Sequence, residues 1–208
     1  MEVCLDGILD GMTEGVANMQ LPDPVLRDYY RDEEERVFWL DQEVGTCATD
    51  LIKMILRCNK EDKGKTTEER TPIKIFIDSP GGDVTFMFSI INLIDISKTP
   101  VYTINYCTAY SAAAEILAAG HKRFAFPGSH VMLHNGSTSF GGQVDQVESM
   151  KKYFDSVLKK ATDHLLARTN IDPKKLKKKG VVDWFMDENE ALENGVVDYI
   201  ITDFDEIL

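Results

Sequence analysis

The chain has 208 residues, 43% of them hydrophobic and 9% aromatic, enough to bury the core of one α/β domain and too few for two of ordinary size. Thirty-five acidic residues oppose 23 basic ones, a formal net charge of −12 that repels polyphosphate and argues against nucleic acid or an anionic membrane as partner. No apolar run reaches the ~18 residues that span a bilayer, and the opening MEVCLDGILDGMTEG lacks the basic segment of a secretory signal. Cys4, Cys47, Cys58 and Cys107 form no C-x-x-C pair for zinc or redox work. The expectation is reduced thiols in a cytoplasmic protein.

Residues 1–28 read as an N-terminal arm or a propeptide-like segment, and 29–208 as the main domain. In the arm, Leu5, Ile8, Leu9 and Met12 fall at helical spacing, but Gly7, Gly11 and Gly15 interrupt them, and Pro22 and Pro24 block continuation. The acidic run Asp32–Glu35 reads as a solvated turn, and Val37–Leu40 as a first buried strand. Leu51, Met54, Ile55 and Cys58 repeat at i, i+3, i+4 and i+7, predicting an amphipathic helix capped by Thr49 or Asp50. Residues 59–71 are polar, contain Gly64 and predict an exposed loop.

From residue 73 a βα rhythm sets in. Ile73–Ile77 predicts a strand that ends in Asp-Ser-Pro-Gly-Gly, followed by a helix with Phe86, Ile90, Leu93 and Ile94 on one face. Val101–Ile104 predicts a second strand, and Ser111–Ala119 a helix of small residues stopped by Gly120. Arg123–Phe126 and Val131–Leu133 predict short strands, 143–168 a long charged helix, Asn189–Asn194 a short helix, and Val196–Ile201 a last strand. Lys174–Lys179 reads as a solvated basic face. Strands alternating with helices imply one α/β domain with a largely parallel sheet and right-handed crossovers.

Two stretches carry chemistry. Ser79-Pro80-Gly81-Gly82 lies at the carboxyl end of a strand, where open α/β sheets place their sites and where glycines let a ligand approach backbone N–H groups. A tight strand-to-helix turn explains it equally well, and the phosphate-loop pattern G-x-x-x-x-G-K-[ST] is absent. Ser111 stands at a second strand-to-helix junction, where helix N–H groups would stabilise an oxyanion, or where serine serves merely as an N-cap. Ala109, Ala112, Ala113 and Ala114 leave room around it.

A nucleophilic serine needs a base. His164 reads as a surface residue of the long helix, His121 follows the glycine that ends the serine helix, and His130 sits in a turn. His134 terminates the apolar strand Val-Met-Leu-His, a position a rigid scaffold can hold. Most of the acids read as solvated; Asp183, between Val181-Val182 and Trp184-Phe185, is an exception, with a helix cap as the competing reading. The order Ser, His, Asp matches none of the chymotrypsin, subtilisin or α/β-hydrolase orders.

These landmarks together resemble the Clp protease proteolytic subunit family. Ile77-Asp-Ser-Pro-Gly-Gly-Asp-Val-Thr85, Thr103-Ile to Ala-Tyr-Ser111, Val131-Met-Leu-His134 and Asp183-Trp-Phe-Met through Gly195-Val-Val-Asp198 occur in the family's order and near its spacing, over roughly residues 29–203. The resemblance implies a crotonase-like ββα superhelix, with a protruding handle made by the long helix and a glycine-rich strand before it. It implies Ser111 as nucleophile, His134 as general base, Asp183 as the group orienting the imidazole, and the N–H groups of Gly82 and Ala112 as oxyanion hole. A strand running from Gly82 through Asp83 and Val84 would pair with extended substrate. It further implies heptameric rings that stack into a chamber, an ATP-driven unfoldase partner, polypeptide substrates, and neither metal nor organic cofactor.

The chain departs from the family's pattern at several positions. Cys107 replaces a usual glycine, Tyr110 a small residue, Glu115 a hydrophobe, and Val182 an arginine that bridges rings; Thr138-Ser139-Phe140 makes the handle less glycine-rich. Glu115, one helical turn after Ser111, either sits near the site and opposes the anionic transition state or faces a subunit contact, and the contact is the reading preferred. Two other readings stand beside peptidase: a structural ring subunit with little activity, as in prophage assembly, and an acyl-CoA enzyme of the crotonase type.

Overall fold

A computed structural model describes residues 24–207, so Cys4 and the expected helical spacing at Leu5–Met12 lie outside the described residues. The chain divides into two units, residues 1–35 and 36–208. In the first unit the described residues form helix α1 (Pro24–Glu35). Proline suits the first helical position, where a missing N–H forfeits no intrahelical bond. Asp32–Glu35 is the last turn of this helix, not a separate solvated turn.

The second unit is built on a seven-stranded sheet: β1 (Val37–Leu40), β2 (Ile73–Ser79), β3 (Val101–Tyr110), β4 (Lys122–Ala125), β5 (His130–Leu133), β6 (Trp184–Asp187) and β7 (Tyr199–Ile200). The main path runs β1-β2-β3-β4-β7, all parallel, while β5 pairs parallel with β3 and antiparallel with β6. The helices are α2 (Ala48–Glu61), α3 (Val84–Ile96), α4 (Ala112–Ala119), α5 (Val144–Arg168), α6 (Pro173–Lys179) and α7 (Glu188–Glu193). This is the expected α/β architecture: one face of the sheet packs with the helices, and the other carries a smaller cluster of Val37, Phe76, Ile104, Phe124, Ile201 and Ile207, beside which Trp39 and Tyr199 remain exposed.

The core follows the sequence periodicity. Ile73, Ile75 and Ile77 of β2 meet Leu51, Met54, Ile55 and Cys58 of α2 and Ile90, Ile91 and Ile94 of α3 in one buried cluster. Helix α2 starts at Ala48, with Cys47 at its N-cap position and no side-chain cap bond, so neither Thr49 nor Asp50 caps it. Ala112, Ala113, Ala114, Ala118 and Ala119 of α4 are all buried, which is why that helix is built from small residues: it packs at close range against α3, α5 and β3. Arg168 holds its C-terminus, donating through NH2 to the carbonyls of Ala119 (2.6 Å) and Gly120 (2.7 Å).

Several elements differ from the periodicity. The polar segment 59–71 is not wholly exposed. Asp62 is fully buried, and its carboxylate accepts from Arg36 (2.6 and 3.1 Å), Lys65 (2.7 Å) and Thr99 (3.0 Å). A short buried ionic cluster thus ties the end of α2 to the strands beside it. The last strand is only Tyr199–Ile200, because the Val196 N–H turns back to Ala191 after Gly195, whose φ of 67° makes a turn. Residues 135–143, implied as a handle strand, pair with no strand; Gly136 and Gly142 take φ of 74° and 138° there. Helix α5 buries only Val157, Ala161 and Leu165, all in its second half, while Val144, Met150 and Tyr153 of the first half are exposed. The basic helix α6 is solvated at Lys174, Lys177 and Lys178, but Lys175 and Lys179 lie 4.8 and 4.9 Å over the Trp184 ring.

Candidate active site

Strand β3 runs six residues past its expected end at Ile104 and delivers the chain directly to Ser111. A bulge makes this possible. Ile77 pairs with Asn105 and Ser79 with Ala109, so β3 carries extra residues opposite Asp78. The Asp78 carboxylate holds the bulge by accepting from the Thr108 N–H (3.2 Å) and hydroxyl (2.6 Å). Cys107 sits on this bulge with its thiol exposed.

Ser111 then turns sharply into α4 with φ 54° and ψ −121°. A non-glycine residue in that region stores strain on the order of 1–3 kcal/mol, which the surrounding structure must hold. The hydroxyl makes no helix-cap bond. It lies instead 2.6 Å from His134 Nε2, so serine's role here is not that of an N-cap. Gly81 is the support beneath this turn. Its φ is 93°, and a Cβ there would meet the Tyr110 carbonyl at 2.5 Å and Ser111 Cβ at 2.8 Å.

Gly82 forms a single parallel bridge with Val44, in which Val44 N–H donates to Gly81 O (2.7 Å) and Asp83 N–H to Val44 O (2.8 Å). That pattern leaves the Gly82 N–H without an acceptor, as is the Ala112 N–H in the first turn of α4. The chain does not continue as a strand past Gly82. Asp83 caps α3 through its carboxylate, and Val84 is the first helical residue, because an acidic cap outcompetes strand extension at this position.

Register brings the histidine to the serine. Thr108, Ala109 and Tyr110 of β3 pair with His130, Val131 and Met132 of β5, and the Ser111 N–H continues the ladder onto Met132 O at 2.8 Å. His134 follows two residues later. On its other side β5 pairs with β6, ending at Leu133–Trp184, which sets Asp183 across from His134. Asp183 Oδ1 is 3.6 Å from His134 Nδ1, and its side chain is 56% exposed, against 23% for the histidine. The expected enclosure of Asp183 is absent because Val181, Val182 and Phe185 face outward as well. Nor is it a cap; Asp187 caps α7.

An open cleft of about 690 Å³ runs past Ser111 and His134, lined also by Gly81, Gly82, Asp83 and Val84. Pro80, Met132, Glu43, Gly136, Ser137 and Phe154 complete it, the last four being residues that sequence reasoning missed. Phe154 was signalled only as an aromatic within the charged stretch Lys151–Asp155; it lies edge-on to Phe140 at 5.8 Å.

The other histidines stay away from the cleft. His121 Nδ1 accepts from Val101 N–H at 2.9 Å, and burial and nearby Arg168 hold its pKa below the usual value. His130 lends its carbonyl to Asn105. His164 is not a surface residue: its side chain is 16% exposed, with Nε2 3.2 Å from Asp95. Tyr110 packs edge-on against Phe185 at 5.5 Å. Glu115 is half-buried as a residue, and burial of its carboxyl pushes that group up to about 8. No group of three or more potential metal ligands occurs among the described residues.

An α/β sheet that presents a serine–histidine pair in an open cleft is an architecture suited to acyl transfer. The sequence model of the Clp protease family matches residues 27–204, and the chain belongs to that family. It is 35% identical over 131 residues to the ATP-dependent Clp protease proteolytic subunit 2 of Treponema denticola; the alignment covers 62% of this chain and 66%, just under two thirds, of that relative.

Proposed function

We propose that the chain is a serine endopeptidase that degrades unfolded polypeptides. The observation that carries this reading is the 2.6 Å contact between Ser111 Oγ and His134 Nε2 at a strained strand-to-helix turn. His134 takes the Ser111 proton as Oγ attacks a peptide carbonyl, and returns it to the leaving amine. The acyl-enzyme is then released by water that the same imidazole activates. Asp183 holds Nδ1–H of the ring, a contact that shortens from 3.6 Å once substrate is bound. The N–H groups of Gly82 and Ala112 take the oxyanion, and loss of one such donor lowers turnover ~10²–10³-fold. Gly82, Asp83 and Val84, on the wall of the cleft, contact the substrate chain.

Family membership supports an assembled form: a homo-oligomeric ring, heptameric and able to stack on a second, closing a chamber fed by an ATP-dependent unfoldase. The exposed first half of α5, with Val144, Met150 and Tyr153, fits a handle between rings. Val182 at the ring-bridging position is exposed and uncharged, so stacking would rest on the handle. Among the described residues no helix is long and apolar enough to cross a membrane, and we assign the enzyme to the cytoplasm.

The test is intact mass after treatment with a fluorophosphonate, beside Ser111→Ala. One adduct in the wild type and none in the variant is the expected result. A second reading, a structural ring subunit with little activity, draws on the exposed Asp183 and its long contact to His134. No adduct in a well-formed oligomer would establish it in place of the first.

A further inference from the structure

The cleft beside Ser111 is acidic. Glu43 and Asp83 line it, and neither lysine nor arginine does. A second acid stands near the nucleophile in the chain, behind the residues that line the cleft. Glu115 follows Ser111 by one turn of α4, its N–H donating to the Ser111 carbonyl at 3.3 Å. Residues four apart share a helix face, and helical side chains lean toward the N-terminus, so the Glu115 side chain leads back toward the nucleophile. Helix α4 packs against α3 and α5, the two helices whose Val84 and Phe154 wall the cleft.

The carboxyl has no protein partner. Its Oε2 is sealed from solvent with no hydrogen bond, and no lysine, arginine or histidine among the described residues lies within ion-pair distance of it. The residue as a whole is half-buried, its sealed end being the carboxyl oxygen Oε2. A buried acid without a partner is unfavourable unless something supplies one. The neighbouring Ala112, Ala113, Ala114 and Ala118 occupy little space. One helical turn is a rise of about 5.4 Å, which the long stem of lysine or arginine spans and a leucine side chain does not.

We propose that Glu115 forms the floor of the subsite for the residue preceding the scissile bond, and that this subsite selects lysine or arginine. Glu43 and Asp83 at the rim add attraction for the same charge. The inference rests on Ser111 being the nucleophile, and on the burial that keeps the empty subsite uncharged until a cation enters.

The experiment compares two peptidyl diphenyl phosphonates on the full-length protein, identical except for lysine or norleucine analogues at the position next to phosphorus. Norleucine keeps the stem and lacks the ammonium, and labelling is followed by intact mass. The lysine reagent should label at least about tenfold faster, the range of a charge-assisted buried contact. In Glu115→Leu the order should invert, and in Glu115→Gln the ratio should fall toward one. Equal rates in the wild type, or faster norleucine labelling, would overturn the subsite and leave Ser111 as nucleophile. An unchanged ratio in both variants would overturn the role of Glu115. If neither these reagents nor a fluorophosphonate labels the protein, the serine-peptidase reading itself fails, and the subsite with it.

Discussion

His134 and Asp183 stand opposite one another one position beyond the last pair of the β5–β6 ladder, Leu133–Trp184, with Nδ1 and Oδ1 3.6 Å apart. Directly opposed residues on neighbouring strands bring their Cβ atoms to about 4.5–5.5 Å. The acid therefore reaches the imidazole by strand register alone, with no enclosing pocket, and its side chain remains 56% exposed.

On the proposed mechanism, that placement leaves the acid to act only by orienting the ring. Asp183→Asn should slow fluorophosphonate labelling of Ser111 by roughly 10²–10⁴-fold, because an amide favours the wrong tautomer. The melting temperature should barely move, since an exposed side chain contributes little to stability. A labelling rate equal to wild type would remove Asp183 from the mechanism.

Gly81→Ala should be among the most damaging single-methyl additions in the chain. The new Cβ would press on the Tyr110 carbonyl and Ser111 Cβ at a φ of 93°. A loss of roughly 1–3 kcal/mol is expected from overpacking together with backbone strain. Thermal denaturation reads the stability, and loss of phosphonate labelling at temperatures where the variant is still folded reads displacement of Ser111.

Burial raises the Glu115 carboxyl to about 8, so the folded state holds a proton that the unfolded state releases near the ordinary glutamate value of ~4.3. Its effect on stability is harmless below that value, and stability falls as pH climbs toward 8, by up to about 1.4 kcal/mol per pH unit. Glu115→Gln removes the titration. Denaturant unfolding of the two proteins should agree near pH 4–5 and diverge upward, with the variant the more stable at pH 8. Parallel curves would show that the carboxyl is not buried in solution.

Asp62 behaves in the opposite sense. The Arg36 guanidinium beside it, with help from Lys65 and Thr99, holds its carboxyl well below the usual carboxylate range. Its contribution is complete above the ordinary aspartate value of ~3.9 and is lost as pH falls below that. Asp62→Asn should cost roughly 3–5 kcal/mol at neutral pH, the penalty for breaking a buried pair. The gap between wild type and variant should close as pH falls from about 4 toward 2, measured by the same unfolding curves.

The site was legible in the sequence where residue type and chain position coincide. Ser111, His134 and the paired glycines each stand at the end of an apolar strand, which is where a parallel sheet gathers its functional groups. What escaped was set by distant contacts. The final six residues of β3 alternate poorly, and the bulge held by Asp78 together with pairing to β5 keeps them in the sheet. Asp62 lies in a polar stretch whose burial depends on Arg36 and Thr99, 26 and 37 residues away. His164 sits on a charged helix, and its enclosure comes from α3, where Asp95 faces it. Glu115 interrupts a run of alanines and hydrophobes, but nothing local distinguishes a subunit contact from a buried acid.

Strand β3 divides its loyalties along its length: Tyr102–Asn105 pair with β4, and Thr108–Tyr110 with β5. On the proposed mechanism, base and acid reach the nucleophile across that second, three-pair seam and the Ser111 N–H bond to Met132 O. The seam is also part of the body of the fold, because Val131, Leu133, Trp184 and Met186 share one buried cluster with Ile75 and Ile77 of β2. Parting it would carry His134 and Asp183 off together and open that cluster to water. A molecule switched off in this way would therefore announce itself in a melting curve as well as in an assay.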